Sequence, residues 1–269
     1  MIAVVDYQKG NLKSVERGLI AAGGEAFITA DASEIAKADA IVLPGVGAFA
    51  DAAATMCELG QMEVIRERVR AGVPFLGICL GEHLMFEHGV EGAPEGNPAC
   101  GLGLLPGTVV AMPRCDAQGK TFKVPHVGWN TIEMPACNGG AAVPPCGEGG
   151  GNAMLSSGGA GGGAARSSAA KRGLFEHGAF PGSAPQAGSE LAFACPLFDG
   201  IAPGEYFYFT HSYIAPTGSH TIAETTHSVR FTSAVQFGEC AFGVQFHPEK
   251  SSDAGARVLA NFVAIAARG

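Results

Sequence analysis

The sequence predicts an α/β fold: a mostly parallel central sheet with helices on both faces and an antiparallel extension. Three observations carry this expectation. Through residues 2–80, short apolar runs alternate with segments of helical period, as strand–helix–strand units do. At 73–86 the chain reads V-P-F-L-G-I-C-L-G-E-H-L-M-F. There an apolar strand enters a cysteine flanked by Gly77 and Gly81, followed by a segment in which Leu84, Met85 and Phe86 form the buried side of an expected helix. That succession is a nucleophile elbow with Cys in place of Ser. Beyond residue 108, strand-like segments follow one another without helices between them, which supplies the antiparallel part.

Taken in order, residues 2–6 read as a buried strand and 11–22 as a helix with Leu12, Val15, Leu19 and Ile20 at helical spacing, ended by Gly23 and Gly24. Strands are expected at 25–29 and 40–43, the second entering Pro44-Gly45-Val46-Gly47-Ala48-Phe49. Helices at 51–59 and 62–70 precede a strand at 73–78. The glycine-rich loops at 44–47 and 77–81 then fall at strand carboxyl ends, where open α/β sheets place their sites. Residues 108–112 and 121–124 read as strands, and Pro125-His126-Val127-Gly128-Trp129-Asn130 carries the only tryptophan. An aromatic strand at 206–210 leads to His211-Ser212-Tyr213. Hairpin strands are expected at 221–226 and 233–239, and a last buried strand at 241–246 ends in His247-Pro248-Glu249-Lys250. Ser252 is placed to cap a closing helix over 253–267.

The chain has 269 residues with a formal net charge of −8 and no basic stripe, which argues against nucleic acid as a partner. No apolar run is long enough to span a bilayer. The first residues read as a strand without a basic leader, so a cytoplasmic location is expected. Its eight cysteines are then reduced thiols, and none form a C-x-x-C pair. Forty glycines are concentrated in the second half. From about 135 to 194 the composition collapses into Gly, Ala, Ser and Pro, too poor in apolar area to offset the entropy of ordering. This stretch is read as a disordered insertion in one domain, because strands that the first half needs follow it. Cys137 and Cys146 lie inside it; no metal or cofactor is expected.

A cysteine nucleophile needs a base, and the base an orienting carboxylate. The elbow glycines leave room for a crowded turn that lifts Cys79 near a helix N-terminus, whose dipole favours an anion. His247 and Glu249 are two residues apart at the end of an extended segment, where alternate side chains share a side. Singly, Cys79 reads as a structural thiol, His247 as a core histidine and Glu249 as a solvated carboxylate. Together they read as a Cys-His-Glu triad.

G-I-C-L-G at 77–81 with V-Q-F-H-P-E-K-S at 244–251 resembles the class I (triad) glutamine amidotransferases. D-Y-x-x-G-N-L-x-S-V at 6–15, P-G-V-G-A-F at 44–49, P-H-x-G-W-N at 125–130 and Y-F-x-H-S-Y at 208–213 narrow the resemblance to the glutaminase subunit of imidazole glycerol phosphate synthase, of histidine biosynthesis. The resemblance covers essentially everything outside 135–194. It implies that Cys79 attacks the glutamine amide, that His247 serves as base and then acid, and that Glu249 orients His247. It further implies an oxyanion hole from the N–H of Leu80 and one from Val46 or Gly47, and glutamine contacts from His83, His211, Ser212 and Tyr213. The ammonia would pass to a separate (β/α)₈-barrel cyclase, for which this chain has no room, docked at Asn11, Trp129, Asn130, Tyr208 and Lys250. The residues alone leave Trp129 and Tyr208 open as core aromatics, and Asn11 and Lys250 as plain surface.

Three departures from the family stand out. His83 replaces a glutamine that contacts substrate, and imidazole does not present an amide's donor and acceptor together. Glu82 stands where an apolar residue is common; a carboxylate aimed inward would oppose ionisation of the thiol, so Glu82 is expected to face solvent. Gln8 replaces a glycine. Two alternatives stay open: the amidotransferase subunit of another synthase, of anthranilate or aminodeoxychorismate type, which the 125–130 motif opposes, and a non-catalytic binding subunit that lost turnover through His83 and Glu82.

Overall fold

The computed structural model describes residues 1–135 and 192–268. The expected disordered insertion lies almost wholly outside the described residues. The elements run β1 (Ile2–Val5), α1 (Leu12–Ala21), β2 (Ala26–Thr29), α2 (Ala32–Ile35), β3 (Ala40–Gly45), α3 (Phe49–Glu58), α4 (Gln61–Arg70), β4 (Phe75–Cys79), α5 (Leu80–His83), β5 (Phe86–Gly89), β6 (Ala99–Cys100) and β7 (Leu105–Ala111). They continue with β8 (His126–Thr131), β9 (Tyr206–His211), β10 (Tyr213–Ile214), β11 (Thr221–Thr226), β12 (Arg230–Phe237), β13 (Ala241–Val244) and α6 (Ser252–Ala266). A seven-stranded sheet in the order β11-β12-β13-β4-β3-β1-β2 forms the centre. Its strands from β13 to β2 pair in parallel, while β12 and β11 are antiparallel.

Period-two side-chain alternation explains why both faces are covered. From β3, Ala40 and Val42 join one core with Leu19, Val258 and Phe262 of α1 and α6. Ile41 and Leu43 join the other, with Phe49 and Met56 of α3 and Ile65 and Val69 of α4. Each fully buried Leu, Ile or Phe contributes about 1.5–3 kcal/mol of transfer free energy. Two smaller sheets, β10-β7-β5-β6 and β8-β9, complete the described fold.

Register positions the site. In β4, Cys79 lies opposite Gly45 of β3, and Ile78 lies opposite Val244 of β13. The loop after β3, the elbow after β4 and the segment after β13 therefore leave neighbouring strands at one edge of the sheet.

Four local expectations are corrected. The helix after the elbow is one turn, Leu80–His83, and Phe86 opens β5. Leu84, Met85 and Phe86 are buried, but as a turn and strand under α3 rather than a helix face. Residues 121–124 form no strand; Thr121 makes a single bridge to Cys115. The antiparallel extension of the central sheet comes instead from β11 and β12. Ser251, not Ser252, holds the N-cap position of α6, with no side-chain cap bond there. Its hydroxyl is taken by the carbonyl of His247 (2.7 Å) and the amide of Tyr208 (3.0 Å).

Candidate active site

Cys79 ends β4 at φ 54°, ψ −105°, a conformation that costs a non-glycine residue about 1–3 kcal/mol. Backbone crowding enforces it. A Cβ on Gly77 would lie 2.5 Å from the carbonyl oxygen of Gly81, and one on Gly81 would lie 1.8 Å from that of Leu43. The elbow closes only because these positions lack side chains. Leu80 opens the next turn, so its N–H belongs to the first helical turn, where no intrahelical acceptor exists.

His247 and Glu249 leave β13 beside this elbow, their side chains 3% and 2% exposed. Glu249 Oε1 accepts from His247 Nδ1 at 3.0 Å, which leaves Nε2 as the nitrogen that faces Cys79. Nε2 is buried and makes no hydrogen bond of ordinary geometry; the sulfur acts on the ring by proximity. Burial alone would push the imidazole down, but the neighbouring Cys79 and Glu249 outweigh it and hold it up at about 9. The backbone N–H of His247 donates to Tyr208 O at 2.9 Å, so β9 fixes the ring's position.

Gln245, which the sequence reading missed, also reaches this sulfur. It is fully buried, with Nε2 3.7 Å from Cys79 Sγ and Oε1 2.7 Å from His83 Nε2. The extended segment expected through Glu249 is not formed: Pro248–Lys250 is a single 3-10 turn with His247 at its N-cap, and this turn brings the carboxylate to the ring. The two-residue spacing from His247 was the signal available for Gln245.

A cavity of about 420 Å³ opens over Cys79, lined by Val46, Gly47, Leu80, His83, His211, Ser212 and Tyr213 among others. The structure thus brings every residue proposed for the oxyanion hole and the substrate into one space. Glu91 also lines it, and no motif pointed to it. Burial raises its carboxyl, against a Phe49 backbone hydrogen bond. A second cavity, of about 330 Å³ and lined by Cys195, Asn261 and Arg268, shares no residue with the first.

The histidines around the cavity are held neutral. Burial pushes His83 down to about 4, His126 down to about 4, and His211 well below its usual value. His211 and His126 form a directed row. His211 Nδ1 donates to Tyr213 O (2.8 Å), its Nε2 faces His126 Nδ1 (3.1 Å), and His126 Nε2 meets Asn130 Nδ2 (3.3 Å). Since Nδ1 of His211 donates, its Nε2 accepts, and the tautomer of His126 follows.

Glu82 corrects an expectation. It is 0% exposed rather than solvent-facing, packed against Gly243 with Oε2 3.6 Å from His83 Nε2, and neither carboxyl oxygen makes a hydrogen bond. Burial raises its carboxyl well above the usual range. It is therefore a neutral acid that adds no negative charge beside Cys79. Gln8 adopts φ 68°, a conformation that glycine takes without strain.

The residues expected at a partner surface differ in exposure and in their contacts. Trp129 and Tyr208 face each other across β8 and β9 with rings 6.1 Å apart, and Trp129 is 47% exposed. They are not core aromatics. Asn11 and Lys250 are exposed, and α1 packs against the turn Pro248–Lys250. Asn130 is engaged internally: its Nδ2 donates to Thr226 O at 2.9 Å. Among the described residues no three potential metal ligands converge, and no helix is long and apolar enough to cross a membrane.

Comparison with known proteins agrees with this geometry. A family profile described as glutamine amidotransferase class-I matches residues 3–138. The chain is 36% identical over 263 residues to the imidazole glycerol phosphate synthase subunit HisH of Moorella thermoacetica, covering 97% of this chain and 93% of that one. It is 35% identical to the HisH subunit of Rhodopirellula baltica, covering 97% and 96%. Among solved structures, a glutamine amidotransferase superposes with TM-score 0.58 at 16% identity, covering 99% of this chain and 100% of that chain; this likeness bears on fold alone. The chain belongs to the class-I glutamine amidotransferases, in the branch of the imidazole glycerol phosphate synthase HisH subunits.

Proposed function

We propose that this chain hydrolyses glutamine and supplies the ammonia to a separate cyclase subunit, which makes imidazole glycerol phosphate and the aminoimidazole carboxamide ribotide (AICAR) in histidine biosynthesis. The observation that carries this reading is the triad geometry: His247 bound through Nδ1 to Glu249 with Nε2 toward Cys79. Cys79 Sγ attacks the side-chain amide carbon of glutamine as its proton passes to His247 Nε2. The tetrahedral oxyanion takes N–H bonds from Leu80 and from Val46 or Gly47, each worth about 2.7–4 kcal/mol in catalysis. His247 then protonates the leaving nitrogen, ammonia departs, and water cleaves the thioester to glutamate. Glu249 keeps the ring in the required tautomer.

His83, His211, Ser212 and Tyr213 bind glutamine. Glu91, the only acidic residue among the described residues lining the cavity, suits its α-ammonium group. The cyclase is a (β/α)₈ barrel, and it docks on Asn11, Trp129, Asn130, Tyr208 and Lys250 to form a heterodimer in the cytoplasm with an overall lyase activity. The binding-subunit alternative is weakened: the charge that would have opposed Cys79 is absent while Glu82 is protonated. Residues 1–269 act as one amidotransferase domain, with 135–194 as an insertion.

Ammonia release from glutamine, measured for the chain alone and with a cyclase plus its nucleotide ligand, tests the reading. Release that rises with the cyclase and vanishes in Cys79→Ala is expected. Release that survives in Cys79→Ala, or is absent under both conditions, overturns it.

A further inference from the structure

We propose that Gln245 is a further catalytic residue, its amide N–H stabilising the sulfur anion of Cys79, and that His83 is a positioning residue that fixes the direction of that amide. The inference rests on the proposed role of Cys79 as nucleophile. It assigns work to two fully or nearly fully buried side chains, 0% and 3% exposed.

The geometry is a closed chain of donors and acceptors. Gln245 Nε2 lies 3.7 Å from Cys79 Sγ, and Gln245 Oε1 lies 2.7 Å from His83 Nε2. An amide has one donor end and one acceptor end. With Nε2 on the sulfur, Oε1 must accept, so His83 carries its proton on Nε2. His83 is neutral, and its other nitrogen is then an acceptor, in a ring that lines the cavity. If His83 carried its proton on Nδ1 instead, Nε2 would call for a donor and the amide would turn over. That would put a carbonyl oxygen against the sulfur and oppose its ionisation. The tautomer of one imidazole thereby sets which end of a buried amide the nucleophile meets.

The fold supplies the alignment. Gln245 and His247 follow directly on β13, and both reach the sulfur of Cys79. The backbone N–H of Gln245 donates to Ser233 O at 3.0 Å and that of His247 to Tyr208 O at 2.9 Å, so neither residue is free to shift. When Sγ gives its proton to His247 Nε2, the electron pair stays on sulfur, between an imidazolium and an amide donor. Among the described residues the carbonyl of Thr210 is the other group hydrogen-bonded to the sulfur, at 3.9 Å, and it can only accept. Gln245 is therefore the neutral donor in the shell. In this chain its partner is His83, at a position where the resembling family carries glutamine.

The test is the alkylation rate of Cys79 by iodoacetamide at neutral pH, followed by mass spectrometry of the Cys79 peptide so that other thiols do not contribute. It needs neither glutamine turnover nor the cyclase, so its failure is separable from failure of the proposed function. Gln245→Leu is expected to slow alkylation about tenfold, as loss of one hydrogen bond to a charged group does. His83→Leu, which frees the amide to turn over, is expected to slow it about fivefold, while His83→Gln, which restores a donor to Oε1, recovers the lost rate. Should Gln245→Leu fail to fold, the His83 pair decides alone. Unchanged alkylation in Gln245→Leu, or equal rates in His83→Leu and His83→Gln, overturns the proposal.

Discussion

Glu249 and Glu82 are two buried carboxyls in unlike surroundings. Glu249 Oε1 binds an imidazole, whereas neither oxygen of Glu82 makes a hydrogen bond, Oε2 standing 3.6 Å from His83 Nε2. Replacing Glu249 by Gln removes the anion that helps hold His247 at about 9. Glutaminase kcat is expected to fall about a hundredfold or more, measured by steady-state ammonia release with folding checked by circular dichroism; a kcat within a few-fold of the parent contradicts the orienting role. Glu82 behaves in the reverse sense. Its folded pKa lies above its unfolded one, so the stability it contributes is present at low pH and lost as pH rises through the raised value. Glu82→Met is therefore expected to raise the melting temperature by a few degrees, reflecting about 1–3 kcal/mol of relieved burial of unpaired polar atoms. The gain should grow toward alkaline pH. A lower melting temperature in the variant, or a gain that shrinks as pH rises, contradicts it. The identities of Cys79, His247 and Glu249 were legible from spacing alone. The environment of Glu82 was not, because a residue after an elbow faces solvent or core according to the length of the following helix, here a single turn.

At the scale of elements, the elbow and the histidine row each carry a consequence. Gly81→Ala places a methyl where the Leu43 carbonyl already stands, 1.8 Å away. Backbone on both sides leaves nowhere to relax, so a loss of about 3 kcal/mol or more is expected in chemical denaturation; an unchanged midpoint would mean the turn is looser than it stands. The row from Tyr213 to Asn130 runs through His211 and His126. His83 and His126 sit near about 4, against an ordinary value near 6.5. The folded state therefore binds fewer protons, and their contribution, present above about 6.5, is lost as pH falls toward about 4. Melting temperature should drop through that window, and less steeply in His126→Gln; equal slopes would show that the row does not govern acid stability. Strand positions were legible because apolar alternation is a local signal. The short helix after the elbow and the bridge at Thr121 were not, since tertiary packing set both.

At the scale of the molecule, the described part is continuous in structure across a long interval of sequence. Strands β9 to β13 return after residue 192 to pair with β4, β7 and β8. We expect that replacing residues 136–190 by a short Gly/Ser linker leaves glutaminase activity within about twofold, because a sequence so poor in large apolar residues has little to add to a core; a large loss would assign that stretch a part in catalysis. Trp129→Ala is expected to weaken binding of the cyclase about tenfold or more, in titration calorimetry, as removal of an exposed aromatic anchor does. Unchanged affinity would move the docking surface off the β8–β9 face.

By itself the sequence determined the sheet-and-helix alternation, the elbow and the residues proposed as a triad, because each depends on local spacing: period two in strands, glycines two residues from a crowded cysteine, a carboxylate two residues from a histidine. Only the tertiary structure decided what surrounds them. Gln245, Glu91 and the neutral state of Glu82 depend on which strands lie side by side and on how completely water is excluded. The contacts of Gln245 with Cys79 and of Glu82 with Gly243 join residues more than a hundred positions apart, and no local spacing fixes which residues meet.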